Sequence, residues 1–224
     1  RQAYANYCKW AVKEMSPYTN YFATTNEYNL EPGGIHTPEK AEPFAKLVKA
    51  MVPAVRAANP NAVIVVGETG RYEPEWDAAC YKNGIFDLGN VYSFHAYDYM
   101  AEPEYAPTLV NLMQNFTNFV KGKDSGKEAW MTETGWPAED MSPAAAGSMG
   151  QANLEEQARR YARSFAYYSN PTLIDKVFHY GFADNHAGWF YQENKFGIVQ
   201  SHEDKTPFAA KPAYIAAAAF NDIV

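Results

Sequence analysis

The sequence predicts an α/β fold: a parallel sheet of about five strands with flanking helices. Three observations carry this reading. Short apolar runs alternate with segments of helical periodicity along all 224 residues. The run at 62–66 is continuous, as in a strand buried on both faces. Residues of unusual polar chemistry follow the apolar runs directly instead of scattering over the chain. Strict alternation implies right-handed βαβ units. A complete (β/α)8 barrel takes eight strands and about 250 residues. The elements therefore fit either an open α/β sheet or a partial TIM (β/α)8-type barrel, its last five-eighths, in one domain over 1–224.

The elements follow in order. Residues 3–15 read as a helix with Tyr4, Tyr7, Cys8, Ala11 and Val12 on one face. Residues 21–25 read as a buried strand. Thr37, Pro38 and Glu39 supply a cap, a first-turn proline and an early acid. The helix they open buries Phe44, Leu47, Val48, Met51 and Val55 and stops near Asn59-Pro60. Residues 62–66 form a strand, 74–83 a weaker helix and 91–96 the next strand. Leu109, Leu112, Met113, Phe116 and Val120 mark another helix, followed by a strand at 129–132. The loop 137–151, rich in Ala, Gly, Ser, Pro and Met, is the candidate mobile segment. Asn153 and Glu156 form a capping box ahead of a helix with Leu154, Ala158, Tyr161, Ala162 and Phe165 on one face. A last strand covers 176–182 and a last helix 212–220.

Composition narrows the function. At 47% hydrophobic the chain can bury a sizeable core. A net charge of -7 without a basic cluster argues against nucleic acid. No apolar run approaches the ~20 residues that cross a bilayer. The opening at Arg1 does not resemble a signal peptide, which says little about compartment; a secreted or periplasmic location is the expectation. Cys8 and Cys80 show no zinc-type spacing and read as two free or buried thiols, with a single disulfide as the alternative. The 17 Tyr and 5 Trp offer apolar faces with polar tips, suited to sugar rings and their hydroxyls. Trp10, Trp76 and Trp130 read as packing residues.

The chemistry collects at strand ends. Asn26-Glu27 follows the first strand and Glu68 the second, His95 and Tyr97 end the third, Glu133 ends the fourth, and Asp184 follows the fifth. In barrels and open α/β sheets this edge is where sites are built. Glu27 and Glu133 are the candidate pair. Cleaving an acetal needs a proton for the leaving oxygen and a negative charge behind the anomeric carbon, and two carboxyl groups in different environments supply both.

These residues carry a resemblance. Asn26-Glu27 after a strand, His95-Ala96-Tyr97 on a later one, and Thr132-Glu133-Thr134-Gly135-Trp136 after the next resemble the fingerprint of the clan A glycoside hydrolases. These are retaining (β/α)8 barrels whose acid/base ends strand four and whose nucleophile ends strand seven. Counted that way, the chain runs from helix three through strands four to eight to helix eight. Phe196-Gly197-Ile198-Val199 and Lys211-Pro212-Ala213-Tyr214 are similar to the tail of several families of the clan. The resemblance implies Glu27 as acid/base and Glu133 as nucleophile of a double displacement on a β-linked oligo- or polysaccharide. It implies Asn26 on the sugar 2-hydroxyl, Tyr97 on Glu133, His95 on Glu133 or the sugar, and Trp136 or, by preference, Trp189 as stacking platform. It implies no cofactor and no metal. Tyr28-Asn29 stands where many relatives have Pro-Asn, a change expected to touch loop shape more than chemistry.

Strands one to three have no counterpart in these residues. The expectation is a fragment, partnered by the missing N-terminal part of the barrel and inactive alone. Two other readings stand beside the hydrolase. One is a non-catalytic carbohydrate-binding barrel fragment. The other is a metal-dependent barrel hydrolase using His95, His179 or His186, disfavoured because no HExxH or HxH pattern is present. Sugar, linkage and endo or exo action are not legible.

Overall fold

The computed structural model describes residues 1–30, 38–140, 142, 147, 152–186 and 192–223. Its helices are α1 (Gln2–Met15), α2 (Ala41–Ala58), α3 (Pro74–Lys82), α4 (Asn111–Lys123), α5 (Leu154–Tyr168) and α6 (Pro212–Ile223). Its strands are β1 (Tyr21–Ala23), β2 (Val63–Thr69), β3 (Val91–His95), β4 (Glu128–Thr134), β5 (Ala138–Glu139), β6 (Ala152–Asn153) and β7 (Lys176–His179). The main sheet has five parallel strands in the order β1-β2-β3-β4-β7, with helices between them, as the alternating pattern requires. β5 and β6 form a separate two-residue parallel pair. The chain divides into two compact units, Arg1–His95 with Phe116–Thr132, and Ala96–Asn115 with Glu133–Val224.

In the first unit, β2 and β3 are buried on both faces. One face carries Val65, Val91 and Trp130 with Val63 packed against them. On the other, Phe94 lies 4.3 Å from Phe116 and Tyr92 5.7 Å from the same ring, between ring centroids. Two-sided burial explains why an apolar run read as a parallel strand. α2 follows its sequence pattern, with Phe44, Val48, Met51 and Val55 buried. Its expected cap, Thr37, lies outside the described residues.

Three expectations are corrected. α1 buries Ala5 and Val12 against α2, whereas Tyr7 and Trp10 are exposed at 61% and 59%. The helical stripe thus runs one position away from the aromatic face, and Trp10 is no packing residue. β1 spans Tyr21–Ala23 only and is largely exposed, because among the described residues it pairs with β2 alone. β7 ends at His179, short of 182, and Phe182 is exposed at 66%. Both cysteines are free thiols, Cys80 buried. Most of 137–151 lies outside the described residues.

A buried acid sits at the centre of the first unit. Asp77 on α3 accepts from the Tyr92 hydroxyl (2.8 Å) and from the backbone N–H of Glu73 (3.0 Å). Burial pushes its carboxyl up to about 7.

The second unit is tied at its tail. The capping box is present: Asn153 accepts from the N–H of Glu156, and Glu156 from the N–H of Asn153. Asp184 and Lys211 form an ion pair of 2.8 Å with both side chains only 1% exposed. Burial pushes the carboxyl of Asp184 up and the ammonium of Lys211 down, and each partner opposes that shift in the other. Asp184 also accepts from the N–H of Gly197 (2.9 Å). A Cβ at Gly197 would stand 2.1 Å from the backbone nitrogen of Asp184, so only glycine admits this approach. The 196–199 and 211–214 segments singled out in the sequence are thus two sides of one structural tie.

Two predictions follow from these buried groups. Lys211→Met strands the Asp184 carboxyl and should cost about 3–5 kcal/mol of unfolding free energy in urea. Asp77 holds its proton more tightly in the folded than in the unfolded chain. Its contribution is therefore complete below about pH 4 and is lost as pH rises to about 7, on the order of 4 kcal/mol in all. The difference in unfolding free energy between the wild type and Asp77→Asn should change in that direction from pH 4 to 8; a constant difference would contradict it.

Candidate functional site

In the first unit, two carboxylates meet one histidine. Glu27 follows β1 with φ of 45°, a left-handed conformation uncommon outside glycine. Its backbone N–H donates to the carbonyl of Glu68 (2.8 Å), and Leu30 N–H donates back to Glu27 (2.8 Å), closing a turn. Asn29 is buried and accepts from Gly70 N–H (2.8 Å), while the Tyr28 ring stacks on Phe44 at 4.8 Å. Tyr28-Asn29 therefore shapes the loop.

The end of β2 is bulged. Its register against β3 shifts between Val66 and Thr69, with Gly67 at φ 102° and Glu68 at φ 47°. A Cβ at Gly67 would lie 2.4 Å from the carbonyl oxygen of Ser93. The bulge re-aims the strand so that the buried Glu68 reaches residues of β3. Ser93 Oγ lies 2.6 Å from Glu68 Oε1, and His95 Nε2 lies 3.1 Å from Glu68 Oε2. The other ring nitrogen, Nδ1, lies 2.8 Å from Glu27 Oε1. His95 is fully buried and the Glu27 side chain 26% exposed. Asn26 beside it is exposed.

In the second unit, Glu133 sits near the end of β4. The Tyr97 hydroxyl donates to Glu133 Oε2 (2.8 Å), and the N–H of Ala96 donates to the Glu133 carbonyl (3.0 Å). Phe196 meets the rings of Tyr97, Tyr99 and Tyr180 edge-on, at 5.4–5.5 Å between centroids. The tyrosine that binds Glu133 is thus held by packing.

Other candidates are placed elsewhere. Trp136 is corrected from stacking platform to packing residue. It is 1% exposed, its indole N–H donates to the carbonyl of Ala101 (3.0 Å), and it meets Tyr161 edge-on, so neither face is open to a sugar. Asp184 is corrected from the strand-end group to the pair with Lys211. Trp189 lies outside the described residues. His179 is bonded to Ser164 Oγ (2.7 Å) and packed among Tyr161 and Phe165, where burial pushes it down to about 4. His186 is exposed beside Glu203.

Sequence reasoning placed Glu68 at a strand end without a role and missed Ser93. The signal was there: Gly67 inside a strand pattern marks a bulge, and Ser93 shares a strand face with His95 by period two.

Residues 1–172, which include both Glu27 and Glu133, match the model of the cellulase family, "Cellulase (glycosyl hydrolase family 5)". The chain belongs to glycosyl hydrolase family 5. No curated protein sequence matches it. Among solved structures it is similar to a family 39 glycoside hydrolase from Bacteroides cellulosilyticus WH2, with TM-score 0.70 and 23% identity over 96% of this chain and 43% of that one. It is also similar to the GH53 catalytic domain of Ignisphaera aggregans, with TM-score 0.66 and 19% identity over 96% of this chain and 63% of that one. A third is a monomeric β-xylosidase from Caulobacter crescentus CB15, with TM-score 0.61 and 14% identity over 97% of this chain and 46% of that one. These likenesses show the fold, the partial (β/α)8-barrel type of the glycoside hydrolases. The family 5 chain spans 43% to 63% of the length of these three structures.

The reading of Trp136 has a direct check. Trp136→Phe should lower unfolding free energy by about 1–3 kcal/mol, the cost of leaving the buried Ala101 carbonyl without this donor, and leave oligosaccharide affinity unchanged in a titration; weakened binding would restore it as a platform.

Proposed function

We propose that this family 5 chain carries the catalytic carboxylates of a retaining β-glycosidase that acts on a β-linked oligo- or polysaccharide. The observation that carries the reading is the different company of two strand-end glutamates. Glu27 faces a histidine nitrogen, with which it shares one hydrogen (2.8 Å). Glu133 accepts from the hydroxyl of Tyr97 (2.8 Å). Unequal surroundings are what a division into acid and nucleophile needs.

In the proposed mechanism Glu27 protonates the glycosidic oxygen while Glu133 attacks the anomeric carbon. The C–O bond to the leaving group breaks as the ester to Glu133 forms. Glu27, now a carboxylate, takes a proton from water, whose oxygen displaces Glu133 and releases the sugar with its configuration retained. Asn26 is proposed to meet the 2-hydroxyl, and Tyr97 to hold Glu133 in line. The alternative is a carbohydrate-binding chain without catalysis.

The test is chemical trapping. Incubation of the complete protein that carries this chain with 2-deoxy-2-fluoro β-glycosides bearing a dinitrophenyl leaving group should add one sugar to the peptide that contains Glu133, read by mass spectrometry. Glu133→Ala should abolish both labelling and turnover of aryl β-glycosides while the far-UV spectrum is preserved. Labelling at another carboxylate would overturn the assignment. Polysaccharide binding without labelling or turnover would favour the binding chain.

A further inference from the structure

The contact between His95 and Glu27 raises a question that the two-carboxylate reading does not answer: what holds the histidine. A ring with no exposure must satisfy both nitrogens inside the protein. Nε2 faces Glu68 Oε2 at 3.1 Å, and the other oxygen of that carboxyl group faces Ser93 Oγ at 2.6 Å. Glu68 is itself 5% exposed. A buried carboxylate is retained where donors surround it, so the hydrogen of Nε2 and the hydroxyl hydrogen of Ser93 both point to Glu68. The ring plane and the direction of Nδ1 are then fixed. Nδ1 meets Glu27 Oε1 at 2.8 Å, a distance that requires one hydrogen between the two atoms. Oε1 of Glu27 is engaged by this contact. Glu68 also grips Glu27 through the backbone, since its carbonyl accepts the Glu27 N–H at 2.8 Å.

We propose that Glu68 is a positioning residue for proton transfer: acting through His95, it orients the Glu27 carboxyl group so that Oε2 serves the leaving oxygen. This rests on Glu27 being the acid/base. Glu68 touches no substrate in this scheme, and its loss lowers kcat/KM, which reports the glycosylation step, only where protonation of the leaving group matters.

The experiment compares two substrates of the complete protein that carries this chain. Dinitrophenolate leaves without a proton; phenolate needs one. Glu27→Ala should therefore lower kcat/KM for the phenyl β-glycoside by about 100-fold or more, the usual worth of general acid catalysis, and spare the dinitrophenyl β-glycoside. Glu68→Ala should do the same more weakly, with a loss at least about tenfold larger on the phenyl substrate. Glu68→Gln, whose amide oxygen can still accept from Nε2, should recover most of it. A loss equal on both substrates, or none, in Glu68→Ala beside a selective loss in Glu27→Ala would overturn the positioning role alone. Absence of selectivity in Glu27→Ala would overturn the acid/base reading and the proposal with it. A second measurement needs no turnover and no variant of Glu68. The ¹⁵N shifts of His95, assigned with His95→Gln, should show a protonated Nε2; an unprotonated Nε2 would overturn the proposal.

Discussion

A histidine without solvent cannot leave a nitrogen unbonded, and His95 imposes that condition on the first unit. Its place at the end of β3 is set by the strand period, which puts Ser93 and His95 on one face and Tyr92 and Phe94 on the other. The outer residues pack on helices, as any buried parallel strand does. The inner ones must be met by polar groups. The bulge at Gly67 and Glu68 answers this need. Among the described residues, two of the three non-glycine residues with positive φ, Glu27 and Glu68, are the carboxylates that flank the ring. Strained backbone thus occurs at both carboxyl groups that meet the buried ring.

The second unit obeys a related rule with a different outcome. Asp184 also follows an apolar run, and the sequence collects it at the strand ends with Glu27 and Glu133. The structure commits it to Lys211 and to the N–H of Gly197. A carboxylate with two such donors and 1% exposure is part of the scaffold. Its partner stands 27 residues on, after segments whose conformation gives no local hint of the pairing.

Legibility in the sequence follows burial. β2, β3 and β4 were readable because both faces are covered and the apolar code has no ambiguity. β1 and β7 are shorter or less buried than the pattern implies: among the described residues each has one neighbour in the sheet, and exposed aromatics such as Tyr21 and Phe182 imitate core residues in a one-dimensional pattern. The strand-end positions of Glu27, Glu68, His95, Tyr97 and Glu133 were readable for the same reason as the strands. The partners of His95 were not, because they depend on a register shift that only three dimensions reveal. Trp136 was misjudged because a tryptophan after a strand end has two uses, and the carbonyl that selects between them belongs to Ala101, 35 residues earlier.

The packing of Phe196 against Tyr97, Tyr99 and Tyr180 has a consequence for protein engineering. Specificity in such folds is commonly sought by exchanging the segments that follow strands. Here one such segment ends in a ring that is also the backstop for the tyrosine at Glu133. Under the proposed mechanism, a graft that changes residues 180–196 without preserving that ring alters selectivity and reactivity together, and the two effects are inseparable in any library screened for turnover alone.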